Sequence, residues 1–198
     1  DIKTAEISGT ADMDATDATL ETLTVNGVAD LQITNDLTVT TATFGAEATV
    51  NVGGDAKVDE LTVAGTTDLD VTGNFETVNA TLTGAADVNV KGNFTAKTVT
   101  ARDTLTLTVT GTATAETITV TKDLTANVKT LTVTDKLDVD GNATVEADSA
   151  EITTLNVGAD AVLTIANGLK ITEATVDGNA TVKADSAELT TLTVGNDA

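Results

Sequence analysis

Residues 61–82 read LTVAGTTDLDVTGNFETVNATL, and this stretch holds one complete structural period. It opens on Leu61 and Val63, and 19 residues later the same two positions return as Ala80 and Leu82. Between them Leu69 and Val71 form a second apolar pair, and Gly65 and Gly73 stand between the pairs. Followed outward, the Leu61 position is held by Leu23, Ala42, Ala80, Val99 and Ile118 at equal spacing. It continues through Leu137, Leu155, Ala174 and Leu192 where two turns are one residue shorter. Two residues further on, every turn is again apolar, from Ile7, Val25 and Phe44 to Val157, Val176 and Val194. The second pair recurs as Met13 with Ala15, Leu31 with Ile33 and Val50 with Val52, and runs on through Val88, Leu107, Ala126, Val145, Leu163 and Val182. Apolar residues two apart with polar residues between them mark strands with one buried face. Self-similarity at this period marks a solenoid.

The bends between strands follow the same register. Gly9, Gly27, Gly65, Gly84, Gly141 and Gly178 recur at one point of the turn, and Gly54, Gly73, Gly92 and Gly111 at another, followed by Asp55, Asn74, Asn93 and Thr112. Glycine and asparagine tolerate positive φ, so the pattern predicts sharp bends at points where a bulkier side chain would clash. A third, less regular side is predicted to bury Phe75, Phe94 and Ala113. Three segments per turn give a roughly triangular coil, and right-handed winding is the default for parallel crossovers. The fold class read from the sequence is therefore all-β, a right-handed parallel β-helix (β-solenoid) of about ten turns of 18 to 19 residues, forming a single domain over residues 1–198. At roughly 4.8 Å per turn the rod is on the order of 50 Å long.

Composition narrows the function. The chain carries 31 acidic and 10 basic side chains for a net charge of −21, with three Phe and no Trp, Tyr, His, Cys or Pro. The lack of proline suits interior strands whose N–H groups nearly all donate to the next turn. Without cysteine there is no disulfide framework and no thiolate metal site. No apolar run approaches the roughly 18 residues a bilayer span needs, so membrane insertion is not expected. No signal peptide stands at Asp1, and an exported protein would be a mature or excised form. The lysines and the single Arg102 are scattered, leaving no basic stripe to release counterions and no aromatic platform for bases, so nucleic acid is not an expected partner. Dense negative charge reads first as a device that keeps long β surfaces apart. The usual general bases and nucleophiles are missing, and the uniform turns lack the long loops that hold sites in β-helix lyases and hydrolases. No catalytic residue is assigned and no enzyme is expected.

Two outward columns are candidate sites. One carries Asp12 with Asp14, Asp30 a turn later, and then Asp68 with Asp70, and Asp87 with Asn89. Carboxylates stacked roughly 5 Å apart repel and can be relieved by a hard cation with oxygen ligands, which makes calcium the candidate cofactor. The alternative is that exposed aspartates point apart into water, since neither a glycine-rich nonapeptide pattern nor an EF-hand loop is present. Asp138, Asp140 and Asn142 form a D-x-D-G-N string that resembles a calcium loop and fits a corner equally well. The other column is threonine, with Thr24, Thr43, Thr62, Thr81, Thr100 and Thr119 in line and Thr22, Thr41, Thr98 and Thr117 two residues before. These T-x-T pairs resemble the flat faces of β-solenoid ice-binding proteins, where regularly spaced hydroxyls and methyls order water. Glu60, Asn79, Lys136 and Glu173 interrupt the neighbouring column, and threonine is also simply a favourable outward strand residue.

Residues 139–158 (VDGNATVEADSAEITTLNVG) and 176–195 (VDGNATVKADSAELTTLTVG) are near copies offset by 37 residues, so a two-turn unit has been duplicated. No amphipathic helix, proline or bulky cap is read at either end. The terminal turns are therefore expected to expose strand edges and column ends, Ile2, Ala5 and Ile7 at one and Leu189, Leu192 and Val194 at the other. Uncapped ends imply either head-to-tail stacking or a segment cut from a longer protein, and a head-to-tail contact that does not close propagates as a fibre. Residues 90–120, VKGNFTAKTVTARDTLTLTVTGTATAETITV, resemble the coils of bactofilins, bacterial polymer-forming β-helix proteins. The 19-residue step is similar to repeats of filamentous haemagglutinin adhesins and of bacterial surface-layer β-solenoids. The resemblance implies a structural role and carries over no functional residue. Bactofilins are cytoplasmic with a proline-containing tail, whereas the Thr, Ala and Asp content here looks more like an exported surface polymer. The expectation is a homopolymer, its own partner head to tail, in an extracellular fibre or surface layer. A non-polymerising adhesin stalk and an ice-binding protein using the T-x-T face are the alternatives.

Overall fold

A computed structural model of the chain describes residues 3–195. Alternation of apolar and short polar residues produces strands throughout. In the first half these are β1 (Thr4–Ile7), β2 (Ala11–Ala15), β3 (Ala18–Val25), β4 (Ala29–Ile33), β5 (Leu37–Phe44) and β6 (Ala48–Val52). They continue with β7 (Ala56–Val63), β8 (Thr67–Val71), β9 (Phe75–Leu82), β10 (Ala86–Val90) and β11 (Phe94–Ala101). Beyond these, each coil is close to one unbroken strand: β12 (Leu105–Val120), β13 (Leu124–Val139), β14 (Ala143–Val157), β15 (Ala161–Val176) and β16 (Ala180–Val194). The described residues contain no helix, and so none long and apolar enough to cross a membrane.

All pairings among the described residues are parallel and join equivalent positions of successive coils. Leu23 lies beside Ala42, Ala42 beside Leu61 and Leu61 beside Ala80, and the column ends with Ala174 beside Leu192. The protein is thus a parallel β-solenoid of about ten coils. Each coil has three sides. The five-residue strands such as β4 form side A, with Ala29, Leu31 and Ile33 inward. In β3, Ala18 and Leu20 point inward, two consecutive residues, Glu21 and Thr22, do not, and Leu23 and Val25 point inward again. The slip in phase marks a bend, so each eight-residue strand supplies side B and then side C. Shorter coils pair across 18 residues, as Thr4 with Thr22 and Leu137 with Leu155. The differences fall at corners, for example between Val109 and Thr112, and leave the inward columns in line.

The core is a column of stacked aliphatic residues in which Val25, Val63, Val90 and Val120 are wholly buried. On side B, Phe75 and Phe94 are buried as expected, with ring centroids 5.5 Å apart. Small residues, Ala56 below and Ala113 above, make room for this pair, which contributes about 0.5–1.5 kcal/mol beyond its buried area. The corner glycines differ from expectation in their physical role. Among the described residues none has a positive φ, glycine included. What glycine provides is close approach between coils. A Cβ on Gly84 would lie 2.5 Å from the Gly65 carbonyl oxygen, and one on Gly92 2.5 Å from that of Gly73.

Candidate functional site

Side A places the six aspartates on its outer face but divides them. Asp12 is beside Asp30, and Asp68 is beside Asp87, while Thr49 stands between the two groups. Asp14 and Asp70 lie in the neighbouring column, separated by Gln32 and Asn51. Gln32 Nε2 donates to Asp30 Oδ1 at 2.9 Å, giving that carboxylate a partner without a cation. Among the described residues no group of three or more acidic side chains is gathered closely enough to hold a metal ion. The crowding still has an electrostatic trace. Desolvation between coils, and then the charges of Asp70 and Asp87, hold the Asp68 carboxyl above its ordinary range. Gln32, Asn51, Asp70 and Asn89 line an open groove of about 440 Å³ with Lys91 beside it.

Side C carries the threonine column in the register read from the sequence. Thr24, Thr43, Thr62, Thr81, Thr100 and Thr119 occupy six successive coils without a break. The column then meets Asp138, to which Lys136 Nζ donates along the same strand. In the neighbouring column Thr41 is followed by Glu60 and Asn79, whose Nδ2 donates to Glu60 Oε1 at 2.8 Å.

The corners hold an arrangement that spacing alone did not reveal. Between sides A and B, the N–H of Asp55 donates to Asp36 Oδ1 at 2.8 Å, and that of Asn74 to Asp55 Oδ1 at 2.7 Å. The ladder continues with the N–H of Asn93 on Asn74 Oδ1 and that of Thr112 on Asn93 Oδ1, each at 2.9 Å. A second ladder at the corner before side A joins the N–H of Asn142 to Asp123 Oδ1 and that of Asn179 to Asp160 Oδ1, each at 2.7 Å. Asn142, the last residue of the D-x-D-G-N string, therefore serves as a corner residue. Each side chain satisfies an N–H of the next coil where the ladder of the sides is interrupted. The sequence signal was the recurrence of Asp or Asn after the corner glycine. Ion pairs also run from coil to coil, Lys57 to Glu76 at 3.0 Å, Lys170 to Glu151 at 2.8 Å and Lys122 to Asp103 at 2.6 Å. Hydrogen bonds to these partners raise the pKa of Lys57 and Lys170, and the bond from Lys122, aided by the Thr104 N–H, lowers that of Asp103.

The two described ends present open edges. Among the described residues β1 pairs only with β3, β2 only with β4 and β16 only with β15. Of the residues assigned to the first end, Ala5 and Ile7 are half-buried against the core and Ile2 lies outside the described residues. At the other end the inward columns emerge into solvent, with Val182 39% and Leu192 47% exposed and Leu189 and Val194 half-buried. No protein-family model, curated protein or solved structure matches this chain, so the functional reading rests on the geometry above.

Proposed function

We propose that the protein is a structural rod that polymerises end to end, coil upon coil, within an extracellular fibre or surface layer. The observation that carries this reading is the coil of β16. Along all three sides the outer edge of β16 is paired by no described residue, and the apolar columns open beside it at Val182 and Leu192. An edge of this kind is completed by another coil, and a second copy brings one. The coil pattern of residues 90–120, which resembles that of polymer-forming bacterial β-helix proteins, supports the same reading. Electron microscopy and sedimentation at rising concentration test it, in chelator and in calcium. The parent chain is expected to form fibres, and Leu192→Asp to remain a rod with an unchanged circular dichroism spectrum. Monodisperse parent rods at every concentration overturn the reading and leave a stalk. Fibres that require calcium would give the aspartate face a part in assembly.

The unbroken six-coil threonine column favours a second reading, an ice-binding face. Thermal hysteresis that Thr100→Lys abolishes would support it, and none in the parent would dismiss it.

A further inference from the structure

Asparagine stands directly before glycine at two points of the chain, Asn26–Gly27 and Asn167–Gly168. In such a pair no side chain shields the glycine nitrogen, which can reach the asparagine amide carbon and close a five-membered ring. The fold treats the two pairs differently. Gly27 lies at the corner before side A, and Gly65, Gly84, Gly141 and Gly178 occupy the same point of later coils. There the N–H groups of Gly65 and Gly84 donate to the Ala46 and Gly65 carbonyls, each at 3.2 Å. Those of Gly141 and Gly178 donate to the Lys122 and Ala159 carbonyls at 3.1 and 3.0 Å. The Gly27 N–H donates to no group among the described residues, although the Gly9 backbone lies directly beneath it. Asn26 is exposed, and among the described residues no hydrogen bond holds its side-chain amide. The ladder asparagines are held: Asn74 Oδ1 accepts the Asn93 N–H at 2.9 Å, and Asn142 Nδ2 and Asn179 Nδ2 donate to Asp123 and Asp160 at 3.0 and 3.1 Å. They precede Phe75, Ala143 and Ala180, whose side chains crowd the nitrogen.

We propose that Asn26–Gly27 is a self-modifying site, at which the folded protein converts asparagine to aspartate and isoaspartate. The Gly27 nitrogen loses its proton to solvent base and attacks Asn26 Cγ. The Cγ–Nδ2 bond then breaks, and Nδ2 takes up a proton from water and leaves as ammonia. Water next opens the resulting succinimide at one of its two carbonyls. Opening at Cγ gives aspartate, and opening at the main-chain carbonyl gives isoaspartate, whose backbone runs through Cβ. One water is consumed and one ammonia released, with no oxidant, reductant or enzyme. Either product adds one negative charge to the net −21 of the chain. A hydrogen-bonded N–H resists the first deprotonation, so the free N–H of Gly27 decides where the reaction occurs. Gly168 lies within β15 in register with Ser149 and Ser186, and Ser186 Oγ donates to the Asn167 carbonyl at 3.4 Å. Reaction there waits on local opening of the strand. Isoaspartate also strains its corner, since a Cβ on Gly27 would lie 2.7 Å from the Gly9 carbonyl oxygen and one on Gly45 2.8 Å from that of Asn26. The site is independent of end-to-end assembly.

Peptide mapping by mass spectrometry tests the site, on the full chain held folded at mildly alkaline pH and, in parallel, in denaturant. A carboxyl methyltransferase that uses S-adenosylmethionine and labels only isoaspartate tells the two products apart. In the folded chain, conversion at Asn26 is expected to run roughly tenfold ahead of Asn167, because only the second pair must first open. It is expected to quicken as pH rises, since loss of the Gly27 proton comes first. In denaturant both pairs are unfolded, and the two rates are expected to converge. Asn26→Ser should abolish the fast conversion and leave the slow one at Asn167, with circular dichroism verifying that the variant folds. Equal rates at the two sites of the folded chain, faster reaction at Asn167, or an intact Asn26 while the unfolded chain converts would each overturn the proposal. A gap that persists in denaturant overturns it as well, because flanking residues and not the fold would then set the order.

Discussion

Thr67 stands in a column that Ala48 and Ala86 occupy one coil to either side, and there its buried Oγ1 has no hydrogen-bond partner. Two narrow interior voids of about 20 Å³ each border it, so the packing around this hydroxyl is already loose. Thr67→Val keeps the shape and removes the orphan group. It is expected to stabilise the protein by about 1–2 kcal/mol, read as a higher guanidinium midpoint at unchanged slope. A lower midpoint would show that the hydroxyl is satisfied in solution. Position 67 illustrates what spacing can and cannot say about a single residue. That it faces inward was legible, because period-two alternation assigns every position on a side to one face. Its missing partner was not legible, since hydrogen bonding depends on atoms from other coils. The corner glycines divide in the same way. Their recurrence at Gly65 and Gly84 was plain, but their role follows from a carbonyl one coil away and not from their own φ.

At the scale of elements, the corners keep backbone bonds between coils, such as the Gly73 N–H on the Gly54 carbonyl, and add side-chain bonds to them. Backbone ladders hold the sides, and at the first corner Asp36, Asp55, Asn74 and Asn93 hand an acceptor to each next coil. Asn93→Ala leaves the Thr112 N–H without its acceptor and is expected to cost about 1 kcal/mol. Asn93→Asp keeps the acceptor and should restore most of this loss, as thermal unfolding at pH 7 will show. Side A yields a pH-dependent prediction. The raised Asp68 carboxyl means that the folded state keeps a proton the unfolded chain releases at lower pH. Stability therefore falls as pH rises from the unfolded carboxyl range, ~3.9, through the raised folded value, and no such penalty exists below that range. Asp68→Asn should be more stable than the parent at pH 7, by roughly a few tenths of a kcal/mol after solvent screening, with the gain gone near pH 3. Equal gains at both pH values would sink this assignment. The sides were legible from sequence because their pairs never break register. The corner ladders were hidden because a bond spanning 19 residues looks, in one dimension, like a recurring turn residue.

The whole molecule behaves as a line of coils, each touching only its neighbours, so its stability accumulates along the axis. Removing residues 177–198 takes away the last coil. The shorter chain should keep the parent's β signature in circular dichroism and lose roughly a tenth of its denaturant slope. Loss of all structure would show that the last coil nucleates the rest. The rod itself was legible because one pattern repeats about ten times, so local ambiguities cancel. The proposed assembly was less legible because it depends on the edges of β1, β2 and β16, and nothing in a repeat distinguishes an edge from an interior coil. The stacked register has one more consequence. Strands run across the rod and ladder bonds run along it, which is the cross-β order of amyloid carried by a folded chain. Thioflavin fluorescence and a reflection near 4.7–4.8 Å would thus report native protein as readily as misfolded aggregate. Only loss of the signal on denaturation and its return on refolding would tell the two apart.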